Sequence, residues 1–310
     1  MRKQQLIDYL CTYQCKKDMT KQILITGANG QLGNELQQLM EEYPAFCFFP
    51  TDVDTLDLSQ QSQIADFIET NSIEYVINCA AYTAVDKAEE DTEACFRVNR
   101  DCVRNLANAA AGKAKIIHIS TDYVFDGKNT IPYKETDPVN PQSVYGQSKL
   151  DGERILLTLG HPAIIIRTSW LYSAFGNNFV KTMLRLGHER ERLNVVADQF
   201  GTPTYAADLA ECILKIITFC ETHQRFPAGI YHYSNEGVCS WYDFALKIHQ
   251  LAGIDTCKII PVATSEYPVK AMRPIYSVLD KTMIKTTFGL TIPHWEDSLS
   301  RCISSLSRRS

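Results

Sequence analysis

Tyr145 and Lys149 stand four residues apart in Tyr145-Gly146-Gln147-Ser148-Lys149, a spacing that puts both side chains on one face of a helix. Such a pair can transfer protons. A free phenol titrates near ~10, so a tyrosine that exchanges protons at neutral pH needs a neighbouring cation to favour its phenolate. Lys149 is placed to be that cation. Thr121 ends the apolar run Ile116-Ile117-His118-Ile119-Ser120-Thr121 and adds a hydroxyl that could hydrogen-bond a substrate carbonyl oxygen. The Tyr/Lys spacing occurs on many amphipathic helices, so its meaning comes from the elements around it.

Ile23-Leu24-Ile25-Thr26 runs straight into Gly27-Ala28-Asn29-Gly30-Gln31-Leu32-Gly33, and Gln31 to Met40 reads as a helix. Strand, glycine turn and helix in this order suit a pyrophosphate: glycines let the backbone approach, and the helix start offers free N–H groups. The spacing of Gly27, Gly30 and Gly33 departs from the commoner Gly-x-Gly-x-x-Gly of dinucleotide folds. A second apolar stretch, Phe46 to Phe49, leads to Thr51-Asp52. Asp52 either accepts hydrogen bonds from the adenosine ribose or serves as a turn or helix cap. Its ribose role would disfavour a 2′-phosphate and predict a preference for NADH.

A third strand, Tyr75 to Ala81, finishes in small residues that leave room for a flat ligand. The fourth delivers Ser120 and Thr121 to its carboxyl end, the edge at which open α/β sheets bind ligands. The predicted fold is α/β, a Rossmann-type doubly wound parallel sheet with a smaller C-terminal α/β substrate-binding region. Residues 19–170 make the dinucleotide-binding domain, with 200–235 returning to it, and 171–199 with 236–310 form the substrate-binding region. Helices are expected at Asn178 to Gly187, Ala207 to Thr222 and from an N-cap at Ser240, with a strand at Ile230 to Tyr233.

The glycine turn, Asn78-Cys79-Ala80-Ala81, Ser120-Thr121-Asp122-Tyr123-Val124-Phe125-Asp126-Gly127 and the Tyr145/Lys149 pair together resemble the extended short-chain dehydrogenase/reductases. Tyr82 to Glu89, Arg167 to Tyr172, Asp198 to Thr204, and Arg273-Pro274 followed by Ser277 narrow the resemblance to the dTDP-4-dehydrorhamnose reductase family. It covers residues 20 to 300. It implies Tyr145 as proton donor to a sugar keto oxygen, Lys149 as the group that lowers the phenol's pKa and holds the nicotinamide ribose, and Thr121 as a keto-oxygen contact. Gly30, Gln31 and Leu32 would meet the pyrophosphate, Asp57 and Leu58 would flank the adenine, and Ala80, Ala81 and Tyr82 would line the cofactor path. Asp122 and Trp170 would contact the sugar nucleotide. Tyr82 departs from members that carry histidine there. Arg273 either pairs with the nucleotide diphosphate or makes a structural ion pair.

The implied activity is reduction of the C4 keto group of dTDP-4-dehydro-L-rhamnose by NADH or NADPH. Members of the family are also linked to magnesium and to dimerisation; no magnesium ligands are assigned in this sequence, and monomer and homodimer both stay open. Two other readings use the same scaffold: a dinucleotide-binding regulatory subunit of a synthetase, and an NAD-dependent nucleotide-sugar epimerase. A dehydratase would carry Asp-Glu after the threonine, where this chain has Asp122-Tyr123.

Composition agrees. A chain of 310 residues with 45% hydrophobic residues can bury a sizeable core. A net charge of -5 without a basic stripe argues against nucleic acid, and apolar runs such as Ala163 to Ile166 fall well short of the ~20 residues of a membrane span. The 11 cysteines are scattered without a Cys-x-x-Cys, and Cys47, Cys79 and Cys102 lie in apolar elements where a thiol packs as a small hydrophobe. That pattern, with no evident targeting segment, predicts a reducing cytoplasm. The 7 histidines form no metal-ligand spacing, and His118 reads as a packed residue. Residues 1–18 read as a loosely packed arm outside the fold, or as an upstream start ahead of Met19.

Overall fold

The structure, a computed structural model, describes residues 20–267 and 270–308. The expected arm at 1–18 lies outside the described residues. The chain runs β1 (Lys21–Thr26), α1 (Gln31–Gln38), β2 (Phe46–Thr51), α2 (Gln61–Thr70), β3 (Tyr75–Asn78), α3 (Val85–Ala88), α4 (Thr92–Phe96), α5 (Cys102–Ala110) and β4 (Lys115–Thr121). It continues through α6 (Val144–Thr158), β5 (Ala163–Thr168), β6 (Leu171–Tyr172), α7 (Phe179–Glu189), β7 (Arg192–Val196), β8 (Phe200–Gly201) and β9 (Thr204–Tyr205). It closes with α8 (Ala206–His223), β10 (Gly229–His232), β11 (Cys239–Ser240), α9 (Trp241–Ala252), β12 (Lys258–Val262), α10 (Thr282–Phe288) and α11 (Trp295–Ser307).

Six strands form one parallel sheet in the order β10, β5, β4, β3, β1, β2. Strands in such a sheet are covered on both faces, which is why β1, β3, β4 and β5 carry uninterrupted apolar runs. Neighbouring residues point to opposite sides. Ile23, Ile25, Ile77, Ile117 and Ile166 pack against Leu32 and Leu36 of α1 and Leu209, Ile213 and Ile217 of α8. Leu24, Val76, Ile116 and Ile165 face Ile64 and Ile68 of α2 and Val103 and Leu106 of α5. Each such aliphatic side chain contributes about 1.5–3 kcal/mol on leaving water. β1 has β2 on one side and β3 on the other, so the chain order reverses there and the crevice above β1 is the natural ligand position.

A third core gathers Val180 and Met183 of α7, Leu193 and Val195 of β7, Phe244 and Ile248 of α9 and Leu299 of α11. β7 pairs with β12, β8 with β11 and β6 with β9. Ser240 caps α9 as expected, in a capping box with Asp243. The strand after α8 is present as β10 and joins the main sheet beside β5.

Two element ends differ from the sequence expectation. α1 stops at Gln38 and tightens into a 3-10 turn at Met40–Glu42 ahead of Pro44. β3 stops at Asn78 instead of Ala81. Asn78 accepts a hydrogen bond from Thr26 Oγ1 at 2.7 Å and contacts His118 Nδ1 at 3.0 Å, and the chain then leaves the sheet to cross the glycine turn. His118 is buried and packed, as expected. Among the described residues no helix is long and apolar enough to cross a membrane. Among the described residues eight cysteines, Cys79 and Cys102 among them, are free thiols, and Cys47 lies buried in β2.

Candidate active site

A cleft of about 860 Å³ opens above the carboxyl ends of β1, β3 and β4. Its walls include Gly27, Gly30, Gln31, Leu32, Gly33, Ala81, Thr121, Asp122, Tyr145, Lys149, Trp170 and Arg273. Thus the glycine turn, the strand-end hydroxyl and the Tyr/Lys pair, far apart in sequence, face one space.

The glycine turn is shaped by close backbone approach. Gly27 has φ +66°, and a Cβ on it would fall 2.7 Å from the backbone nitrogen of Ala80. Gly30 caps α1 without any side-chain hydrogen bond, leaving the helix start to backbone N–H groups. Both features fit a pyrophosphate at the helix N-terminus.

Ser143 starts α6 by accepting the Gly146 N–H at 3.1 Å. Tyr145, Lys149 and Glu153 then follow at i, i+4 and i+8 on the face turned to β4. Thr121 hydrogen-bonds the Tyr145 phenol, which favours its ionised form, but burial dominates and raises the phenol above its ordinary value. Lys149 Nζ donates to the carbonyl oxygen of Ile119 at 2.6 Å. Burial lowers Lys149 to about 8, against the Glu153 carboxylate, which favours the ammonium. A phenol kept protonated is suited to giving up its proton only when charge develops on an oxygen held against it.

Asp122 is buried directly after Thr121. Its Oδ1 accepts the Thr121 hydroxyl at 3.1 Å, and burial raises it to about 6 against hydrogen bonds from Ser277 and Thr121. Trp170, at φ +48°, stacks on Trp241 with ring centroids 3.6 Å apart. A Cβ on Gly201 would lie 2.6 Å from the Trp170 ring, so the glycine makes the slot for that indole. Arg273 pairs with Asp86 and donates to the Tyr123 hydroxyl at 3.1 Å at the cleft wall.

Other expected cofactor contacts do not line the cleft. Asp52 accepts the Asn29 N–H at 2.9 Å and the Val53 N–H at 2.8 Å, so both carboxylate oxygens brace backbone. Asp57 holds Ser59 through backbone and hydroxyl, and Leu58 is buried in the core beside α2 and α5. Ala80 packs under the glycine turn, and Tyr82 is pinned through its backbone by Asn99.

Several contributors escaped the sequence reading. Asn99, in a π-helical segment at Arg97–Asp101, ties Tyr82 to Ser148 of α6. Glu153 binds Arg167 with both oxygens and accepts Ser120 Oγ at 2.5 Å. Its signal was available as one more step of four along the Tyr145/Lys149 face. Among the described residues no group of three or more His, Cys, Asp or Glu side chains is arranged to hold a metal ion.

The arrangement matches a known family. Residues 20–308 fit the model described as the RmlD substrate binding domain. The chain is 42% identical over 283 residues to the dTDP-4-dehydrorhamnose reductase of Aggregatibacter actinomycetemcomitans, covering 89% of this chain and 96% of that one. The chain belongs to the dTDP-4-dehydrorhamnose reductase family. A crystal structure of a reductase of this family from Clostridium acetobutylicum superposes with a TM-score of 0.86 at 47% identity, covering 92% of this chain and 99% of that one. The Bacillus anthracis reductase, solved in complex with NADP, gives a TM-score of 0.87 at 41% identity, covering 93% of this chain and 100% of that one. dTDP-glucose 4,6-dehydratase from Streptomyces venezuelae, at 16% identity and a TM-score of 0.76, shares the fold.

Proposed function

We propose that the protein reduces the C4 ketone of dTDP-4-dehydro-L-rhamnose with NADH or NADPH, giving dTDP-L-rhamnose. The observation that carries this reading is the convergence of Thr121, Tyr145 and Lys149 on one cleft with the glycine turn, in a chain of the reductase family. The dinucleotide part, residues 19–170 with 200–235, supplies the glycine turn and the proton-transfer face. The substrate-binding part, residues 171–199 and 236–310, closes the cleft with Trp241 and α7.

Gly27, Gly30, Gln31, Leu32 and Gly33 hold the pyrophosphate, with Ala81 along the cofactor path. The bound reduced nicotinamide supplies the hydride that forms the new C4–H bond. Thr121 and Tyr145 hydrogen-bond the keto oxygen, and Tyr145 gives it the phenolic proton as the C–O π pair moves onto oxygen. Lys149 offers positive charge to the resulting phenolate and a donor to the nicotinamide ribose. Asp122 and Trp170 hold the sugar. Arg273 is within the same wall, where a nucleotide diphosphate can compete with Asp86 for its guanidinium. The protein acts as a monomer or a homodimer. Reactants of this kind, a nucleotide sugar and a reduced dinucleotide, make the cytoplasm the expected compartment.

The test is to follow oxidation of NADH and NADPH by absorbance with the 4-keto nucleotide sugar, identifying the product, with Tyr145→Phe alongside. Tyrosine-dependent formation of dTDP-L-rhamnose supports the reading. Dinucleotide binding without turnover would replace it with a non-catalytic dinucleotide-binding role.

A further inference from the structure

Tyr123 joins two parts of the cleft wall. On one side its backbone N–H donates to Thr121 Oγ1 at 3.2 Å, its carbonyl oxygen lies so close to α6 that a Cβ on Gly146 would clash with it, and its ring meets the Tyr145 ring edge to face, centroids 5.6 Å apart. On the other side its hydroxyl accepts Arg273 Nη1 at 3.1 Å, and the guanidinium carbon stands 6.0 Å from its ring centroid. Thr121, Tyr123, Tyr145 and Arg273 all line the cleft.

Arg273 has two partners of different kinds. Asp86 pairs with it as an anion and also accepts the Ala271 N–H at 3.1 Å. The Tyr123 oxygen is a neutral acceptor, because burial raises that phenol to about 12 against the pull of the Arg273 charge. A guanidinium has more N–H donors than these two contacts use, in a planar fork that suits phosphate oxygens. A diphosphate entering the cleft competes with a carboxylate for that fork, since both are anions, whereas a neutral phenol is not displaced in this way. The contact to Tyr123 is therefore the one that can persist with the ligand bound. An arginine loses rotamer freedom when a ligand fixes it, and a contact that fixes it beforehand lowers that cost.

Resting on the reductase reading, we propose that Tyr123 is a positioning residue for the nucleotide sugar: its hydroxyl holds the Arg273 guanidinium ready for the diphosphate, while its backbone holds Thr121 at the ketone end. The residue thereby fixes the spacing between the two points at which the substrate is gripped. Asp86 is the resting counter-ion that the diphosphate replaces.

The experiment titrates dTDP by calorimetry into the full chain saturated with oxidised dinucleotide, which reads the diphosphate end without turnover. Tyr123→Phe should weaken dTDP about 10-fold, and Arg273→Met should weaken it further. In the Arg273→Met background the Tyr123→Phe change should add less than about twofold, because the hydroxyl acts through the guanidinium. Asp86→Asn should bind dTDP at least as tightly as wild type. In steady-state reduction of the 4-keto nucleotide sugar, Tyr123→Phe should raise KM by the factor seen for dTDP, whereas Tyr123→Ala should also lower kcat by about 10- to 100-fold through loss of the ring beside Tyr145. Thermal melts identify a variant that fails to fold, and Arg273→Lys, which keeps the charge and loses the fork, then repeats the cycle. An equal loss of dTDP affinity with and without Arg273 would make the hydroxyl merely structural and overturn the proposal. Unchanged dTDP affinity in Tyr123→Phe overturns it too, as does a larger loss in Asp86→Asn than in Tyr123→Phe. If wild type binds dTDP and reduces no 4-keto sugar, the reductase reading fails and the dTDP cycle still decides the role of Tyr123.

Discussion

Lys149 of α6 donates to the carbonyl oxygen of Ile119, two residues before Thr121, at 2.6 Å. The lysine therefore joins α6 to the end of β4 as well as facing the cleft. Lys149→Met should reduce turnover and dinucleotide affinity together. Burial holds the folded lysine at about 8, below its unfolded value of 10.5. Between those values the unfolded chain binds more protons, so this group makes stability rise with pH from about 8 to 10.5, and below about 8 its cost is fully present. Denaturant titrations of wild type and Lys149→Met across that window should show the stability of the wild type rising relative to that of the variant.

Tyr145→Phe removes the proposed proton donor and leaves the ring packed against Tyr123, whose centroid is 5.6 Å away. kcat should fall about 10²- to 10⁴-fold with dinucleotide Kd unchanged. Steady-state rates and fluorescence titration of the dinucleotide check the two halves of this statement. Unchanged turnover would remove the tyrosine from the mechanism.

Asp52 braces the glycine turn through Asn29. Asp52→Ala should weaken NADH and NADPH to the same degree, by about tenfold or less, the worth of a hydrogen bond of about 0.5–1.5 kcal/mol. Binding titrations with both dinucleotides decide the matter. A selective gain for NADPH would return Asp52 to the ribose.

Glu153 and Arg167 form a buried pair with side chains 1% and 2% exposed. Glu153→Ala should destabilise the protein by about 3–5 kcal/mol, because the guanidinium stays behind without its counter-charge. Replacing both partners with apolar residues of similar volume should recover most of that loss. Urea denaturation of the single and double variants measures both. A single variant as stable as wild type would show that the pair adds nothing.

Gly27→Ala should abolish dinucleotide binding, since the new Cβ meets the Ala80 backbone and the residue must keep φ +66°. Isothermal titration is the check, with a thermal melt to show that the rest of the chain folds.

The parallel sheet, the glycine turn and the Tyr/Lys face were written in local patterns: continuous apolar runs, a glycine triplet between strand and helix, and a spacing of four. Those patterns depend on near neighbours in the chain, and so they could be read without coordinates. So could Ser240 as a cap, because its partner Asp243 lies three residues on.

The tertiary structure alone decided where the long-range partners fall. Asp52 meets the backbone of Asn29 and Val53, and Arg273 meets Asp86, 187 residues away in sequence. The stacking of Trp170 on Trp241 arises from packing between segments whose sequence separation carries no periodic signal. Burial decided the direction in which Tyr145 and Lys149 titrate, and burial is a property of everything folded around a residue, which no short pattern records.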